Sequence, residues 1–353
     1  RDDAHGGDSN GDGGGTTPDN GNWAHVRIMN TGAATIEYCQ FWYGGFRHPG
    51  EHQMLWIDNA AAQITVRNCE FHRAYSRALR YSVNTYGIDA AIIENVFANC
   101  NDGILIDGNA LATATVLNNT MSSCGGTAIY IDGNGSTEVT VSNNTMTACS
   151  GTAIHVDDAA SSSLIIDNTI QNSGTAIEIQ GCSPLIQDNT LTSNSGYPFR
   201  QVGQAYPSYS GNVLTGNALK VISVQGTITA NTTWQNVQGL NMPFLVTGDI
   251  SVNNGVTLTI QPGVVVKFQY TSDGYQTRRM LVYGTLAAEG TSGSPIVFTS
   301  ERDDAHGGDS NGDGGGTTPN NGNWAHIRIM NTGAATIEYC QFWYGGYRHP
   351  GEH

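Results

Sequence analysis

Between residues 36 and 214 the chain alternates short apolar segments with turns of Gly, Asn, Asp and Ser, and the segments align with one another. In ATIEYCQF, ITVRNCEF, AIIENVF, ATVLNNTM, VTVSNNTM, LIIDNTI, PLIQDNTL and YSGNVL, one column reads Ile36, Val66, Ile92, Val116, Val141, Ile165, Ile186 and Tyr209. Three residues on, a second column reads Cys39, Cys69, Asn95, Asn119, Asn144, Asn168, Asn189 and Asn212. Two further on stand Phe41, Phe71, Phe97, Met121, Met146, Ile170, Leu191 and Leu214. The Asn column steps by 24, 25, 24, 21 and 23 residues. Apolar alternation over short runs, closed by turn residues, predicts strands and no helix. A period near 24 residues with two or three short strands fits one coil of a parallel solenoid, each strand pairing with its equivalent about 4.8 Å away in the next coil.

A further strand follows in each coil. GILIDG, GTAIYIDG, GTAIHVDD and GTAIEIQG place Ile104, Ile129, Ile154 and Ile177 in one inward row and Ile106, Ile131, Val156 and Ile179 in another. Alternation then turns Leu105, Tyr130, His155 and Glu178 outward. A buried Asn in a turn bonds local backbone and ladders its amide to the Asn above and below, so its polar groups are paired. Cys100, Cys124 and Cys149 recur at steps of 24 and 25, as a core position does on successive coils. With Cys39, Cys69, Cys182 and Cys340 they form no CxxC pair of zinc-ligand spacing, and they read as small buried thiols.

The longest regularity is a duplication. Residues 1–52 return as residues 302–353 with Asp19 become Asn320, Val26 become Ile327 and Phe46 become Tyr347, an offset of 301 residues. Opening inside a motif with no start Met, the chain reads as a window on a tandem array. Four segments follow: residues 1–52, early coils with a Gly/Asp-rich loop; 53–216, regular coils with the Asn ladder; 217–301, opening coils of the next unit; and 302–353, the repeat of 1–52. Residues 231–246 are the least periodic and mark a junction. The expected fold is all-β, a right-handed parallel β-helix of about 12 coils per 301 residues.

Charge narrows the function. Lys plus Arg total 15 against 30 Asp plus Glu, a net charge of −15, and this disfavours nucleic acid, which needs clustered cations. The sequence holds no apolar run long enough for a membrane helix.

The N-T-hydrophobic turns followed by G-T-x-I strands resemble the right-handed parallel β-helix repeats of the pectin-lyase-like superfamily, across about residues 30–216. GVTLTIQPGVVVKF, GTLAAEGT, PIVFTSERDDAHGGDSNGDGG and GNWAHIRI look like the opening coils of β-helix modules from large secreted and surface proteins of bacteria and archaea. That resemblance implies an extracellular or cell-surface location. The fold hosts lyases, hydrolases, adhesins and stalks, so function has to come from sites.

The sharpest short motif is Asp8-Ser-Asn10-Gly-Asp12-Gly13, repeated at Asp309, Asn311 and Asp313. Oxygens at alternate positions converge on one hard cation while Gly allows the sharp turn, as in an EF-hand loop. The twelfth position is Asp19 or Asn320 rather than Glu, and Asp2 and Asp3, or Asp303 and Asp304, are available to complete the shell. Calcium is therefore the expected cofactor; the alternative is a turn whose Asp and Asn bond their own backbone. A second acidic set, Asp107, Asp132 and Asp157 with Asp158, follows the Ile-x-Ile strands as turn caps. Resemblance to polysaccharide lyases implies a basic partner for such acids, and no Arg or Lys occurs between Arg80 and Arg200; the hydrolase branch implies a Gly-His-Gly segment, which is absent. His155 beside Asp157 and Asp158 makes only a weak constellation, so no enzyme is expected. Trp42, Tyr43 and Phe46 sit in an aromatic cluster suited to loop packing, to a glycan or to a neighbouring protomer. The expected function is a structural fibre, stalk or surface filament whose partners are further copies of the unit, covalent or head-to-tail. A glycan-binding adhesin or a polysaccharide-active β-helix is the alternative.

Overall fold

The computed structural model describes residues 5–9, 11–46, 52–82, 84–85, 88–108, 111–135, 137–272 and 278–347. Apart from a 3-10 turn at Val237–Gly239, the regular elements among them are strands, and the ladders between strands are parallel. The protein is a parallel β-helix. The chain divides into two compact units, Arg1–Gly174 with Pro184–Thr190, and Thr175–Ser183 with Leu191–His353.

In the first unit each coil gives one strand to each of three ribbons. One ribbon runs Val26–Met29, Gln53–Asp58, Arg77–Ser82, Asp102–Asp107, Ile129–Asp132 and Thr152–Asp157. The other two begin at Ile36–Glu37 and Gln40–Trp42. Register follows the apolar alternation, because a slip of one residue would turn every inward side chain to solvent. Ile104 pairs with Ile129 and Ile129 with Ile154. Val66, Ile92, Val116, Val141 and Ile165 form a second stack. Phe41, Phe71 and Phe97 form a third, their rings parallel at 4.7 and 4.9 Å between centroids. Met121 and Met146 continue it, both fully buried.

Close stacking also fixes where glycine must stand. A Cβ on Gly151 would lie 2.4 Å from the Gly126 carbonyl oxygen, and one on Gly174 would lie 2.3 Å from that of Gly151. The G-T-A-I pattern is the sequence trace of that approach. Just ahead of the Asn column a left-handed residue recurs in each coil, among them Tyr38, Asn68, Glu94, Asn118, Asn143, Asp167 and Asp188, with φ between 52° and 58°. Only Gly, Asn and Asp adopt this conformation cheaply, so the turn is imposed by its surroundings at Tyr38 and Glu94.

The outward row differs in exposure from what strand alternation implies. Tyr130 and His155 are half-buried and stack at 4.7 Å. Leu105 is only 9% exposed, because its register partners Arg80 and Tyr130 stand on either side.

The second unit changes its strand pattern. Its main ribbon runs Thr175–Gln180, Phe199–Val202, Ile222–Ile228, Phe244–Val252, Val265–Phe268, Ile296–Ser300 and Cys340–Phe342. Phe244–Val252 is long enough to pair twice, through Phe244 with Val266 and through Ile250 with Met280. A fresh ribbon begins at Thr232–Trp234 and continues through Thr257–Ile260, Thr285–Glu289 and Ala334–Glu338. Glu178, also on the outward row, is buried beside Arg200 at 3.3 Å. Register partners Phe244, Val266, Phe298 and Phe342 lie progressively farther apart in sequence, because residues 301–326 form a wide loop between strands. Among the described residues the main ribbon carries six strands in the first unit and seven in the second, slightly fewer than a uniform 24-residue period implies, and this lengthening is the reason.

Both copies of the duplicated segment close in the same way. The Trp23 indole donates to the Trp42 carbonyl at 2.6 Å and that of Trp324 to the Trp343 carbonyl at 2.8 Å. Gly45 and Phe46 bond back to Ala24 and Trp23, and Gly346 and Tyr347 bond back to Ala325 and Trp324.

Candidate functional site

The Gly/Asp-rich loop is the densest cluster of chemistry-bearing side chains. Asp8 Oδ1 accepts the Asp12 N–H at 3.0 Å and Oδ2 that of Gly13 at 2.8 Å. Asp12 Oδ1 accepts from Gly14 and Gly15, both at 3.0 Å. The second copy repeats the arrangement: Asp309 accepts from Gly312 at 2.7 Å and Gly314 at 2.8 Å, and Asp313 from Gly315 at 2.8 Å and Gly316 at 2.9 Å. Backbone N–H groups aimed at a carboxylate favour its charged form. The Asp8 carboxyl is held below its ordinary range, chiefly by Gly13. Asp313 is lowered too, first by the Thr317 hydroxyl and then, against some burial, by Asn311.

Each acid thus fixes its own turn, and in the second copy the side chain between the two acids is also bonded within the loop. Asn311 turns its amide onto Asp313 Oδ2 at 2.8 Å, and Asp19 and Asn320 use their backbone N–H groups on Asn22 and Asn323. Asp2, Asp3 and Asn10 lie outside the described residues. In the second copy the structure brings together Asp304, Asp309 and Asp313, with one oxygen of each within 4.8 Å of the others. Asp304 Oδ1 has no hydrogen-bond partner among the described residues, and its carboxyl is raised, first by burial and next by the charge of Asp309.

Asp303 faces the other way, into a network absent from the motif. Lys267, on strand Val265–Phe268, is fully buried. Its Nζ donates to the carbonyls of Asp303 at 2.8 Å and Gly308 at 2.5 Å. Asp303 Oδ2 accepts the Thr299 hydroxyl at 2.6 Å and lies 2.7 Å from His306 Nδ1. Burial pushes the Lys267 ammonium down to about 8, against the pull of Asp303, Asp304 and Asp309. A lysine amid the apolar run GVVVKF is the only sequence signal of this anchor.

The amide column forms a continuous ladder in the first unit. The backbone N–H and side-chain amide of Asn95 both donate to Asn119 Oδ1, at 2.9 and 3.0 Å. The same pair of bonds links Asn119 to Asn144, Asn144 to Asn168 and Asn168 to Asn189. The remaining amide hydrogens reach carbonyls such as those of Val66, Ile92 and Val116. In the second unit Asn212 donates to Gln238 Oε1 instead, and Asn194 ladders to Asn217 at 3.0 Å, a second amide pair that the column alignment omits.

Asp107, Asp132 and Asp157 stack in register. Arg80, the last cation before the long gap, bonds Asp107 at 3.0 Å. Trp42 lies flat on His72 at 3.9 Å, Arg73 stands 5.8 Å over Tyr43, and Phe46 is exposed. All seven cysteines are free, with Cys100, Cys124 and Cys149 buried; burial raises the Cys100 thiol to about 11.

Residues 51–254 match the family model described as periplasmic copper-binding protein (NosD), and residues 226–350 match the pectate-lyase like beta helix domain. No curated protein and no solved structure matches the chain. The first match spans more than half of the 353 residues, and the chain belongs to the NosD family.

Proposed function

We propose that this NosD-family chain is a non-catalytic structural section of an exported tandem-repeat β-helix, building a fibre, stalk or surface filament from repeated units. The observation that carries this reading is the duplicated segment. Residues 22–46 and 323–347 make the same internal bonds, and the strands of the first copy pair onward with those beginning at Gln53, Thr65 and Glu70. A coil that continues into another coil leaves no open strand edge, the usual liability of a sheet. The family's description as periplasmic supports residence outside the cytoplasm. Electron microscopy of the native material is expected to show long thin fibres with a lengthwise repeat; compact, monodisperse particles would overturn the reading.

Calcium is proposed to tie the loop at Asp304, Asp309 and Asp313. An all-oxygen donor set suits a hard cation. Copper, named in the family description, favours sulfur and nitrogen ligands, and the three carboxylates do not fit it; no role for copper is derived. Metal that binds only the folded state stabilises it by mass action. Chelation is therefore expected to lower the melting temperature, and Asp309→Asn to abolish that sensitivity. An unchanged melting curve in excess chelator, with no calcium by elemental analysis, would refute the assignment.

A further inference from the structure

The amide ladder begins at Asn95, and in the two coils before it the same column holds Cys39 and Cys69. The Cys69 N–H still donates to Asn95 Oδ1 at 2.9 Å, so the cysteines occupy ladder positions. Register partners Glu37 with Arg67 and Gln40 with Glu70 bracket them, which sets Cys69 directly over Cys39. The residues just ahead, Tyr38 and Asn68, share the left-handed turn at φ 55° and 54°, and the Glu70 N–H bonds the Cys39 carbonyl at 2.9 Å. Adjacent parallel strands lie about 4.8 Å apart, inside the Cα separation of about 4.4–6.8 Å that a disulfide spans. The two sulfurs are within hydrogen-bonding reach of each other.

Farther along the column, amide side chains join each coil to the next, as Asn95 joins Asn119 at 3.0 Å. The cysteines have only weak thiol donors for that task. Cys39 Sγ lies 3.4 Å from the Glu37 carbonyl, and Cys69 Sγ lies 3.3 and 3.5 Å from those of Arg67 and Ile36. Access to the pair is one-sided. Cys39 is half-buried and Cys69 is 1% exposed, so a soluble disulfide meets Cys39 first, with Cys69 placed to resolve the adduct. Cys124 and Cys149 also touch, but both are fully buried and out of a donor's reach. The duplication supplies a control: Cys340, the copy of Cys39, is half-buried too, and its register partner is Ile296 rather than a thiol.

We propose that Cys39 and Cys69 are a site of disulfide formation, oxidised by exchange with a small disulfide or a thiol–disulfide carrier. The Cys39 thiolate attacks the donor RSSR, forming a Cys39–SR bond and releasing one RS⁻. The Cys69 thiolate then attacks the Cys39 sulfur and expels the second RS⁻. The cysteines together lose two protons and two electrons, and the donor is reduced to two thiols. The bond extends the coil-to-coil link of the Asn ladder into the repeated segment, fastening residues 36–42 to the coil that follows. In the organism it rests on the export read above, because disulfides persist in oxidising compartments; the pairing itself needs only the two thiols and a donor.

The test incubates the folded, reduced full chain with oxidised glutathione, blocks remaining thiols with N-ethylmaleimide in denaturant and maps tryptic peptides by mass spectrometry. Peptide 28–47, which holds Cys39, is expected joined to peptide 68–73, which holds Cys69, while Cys340 carries glutathione. Cys69→Ser should leave glutathione on Cys39, since nothing resolves it. Dithiothreitol should lower the melting temperature of the oxidised wild-type chain and of Cys340→Ser, but not of Cys69→Ser. Glutathione retained on wild-type Cys39, a link from Cys39 to any other cysteine, or recovery of Cys39 and Cys69 as thiols would each overturn the proposal. Because the donor is supplied in the assay, such a failure refutes the pair and leaves the reading of an exported protein standing.

Discussion

Asn144→Ala is expected to destabilise the protein by about 3 kcal/mol or more, since each buried partner left unsatisfied costs about 1–3 kcal/mol. Asn144 is fully buried. Removing its amide takes the side-chain donor from the Val116 carbonyl and one of two donors from Asn168 Oδ1, which keeps the backbone N–H of residue 144, and strips Asn119 of the acceptor shared by its backbone and side-chain N–H groups. Asn144→Asp keeps an acceptor but loses the donor and sets carboxylate oxygen against the Asn168 oxygen, so it should do no better. Urea denaturation with folded-state circular dichroism checks both. A loss under about 0.5 kcal/mol, the range of ordinary surface substitutions, would mean that the ladder adds nothing to stability.

Lys267→Met is expected to free the start of the second Gly/Asp-rich loop, with a loss of about 2–6 kcal/mol, about 1–3 kcal/mol for each carbonyl left unpaired. The Met side chain fills the space but leaves the Asp303 and Gly308 carbonyls unpaired. Limited proteolysis should then cut within residues 302–310 faster than in wild type. The pH dependence has a definite sign. Burial lowers Lys267 in the folded chain from 10.5 to about 8, so between those values the unfolded chain binds the extra proton. Stability from this group therefore rises with pH across that window. The gap between wild type and Lys267→Met should widen from pH 8 to 10, the titration of buried Cys and Tyr cancelling in the comparison. A constant gap, or unchanged proteolysis, would show that the lysine does not anchor the loop.

Much of the coil was legible in the chain because its signals are local and repeated. The columns through Val66 and Phe71 can be read from apolar alternation alone, since each coil buries the same positions against its neighbours. The left-handed turn was not, because Tyr38, Glu94, Ala148 and Arg73 occupy such positions as well as Asn, and packing above and below selects the conformation whatever the side chain. Lys267 was hidden for a different reason. Its partners lie 36 and 41 residues away, in a loop whose path no periodicity describes. The Asp-rich motif was visible, but whether its oxygens face a cation or their own backbone depends on loop closure, and Asp304, outside the motif, joins Asp309 and Asp313 through that closure.

The matching closure of residues 22–46 and 323–347 has a genetic consequence. Protein segments 301 residues apart that differ at three of 52 positions would, where their coding DNA is equally alike, be natural partners for unequal recombination. An exchange anywhere within them would join the start of one coil to the remainder of its equivalent, in phase. The product would gain or lose a whole unit with no new strand register to find and no orphaned core row. In the proposed array, the number of units would then set length without any change to the packing within a coil.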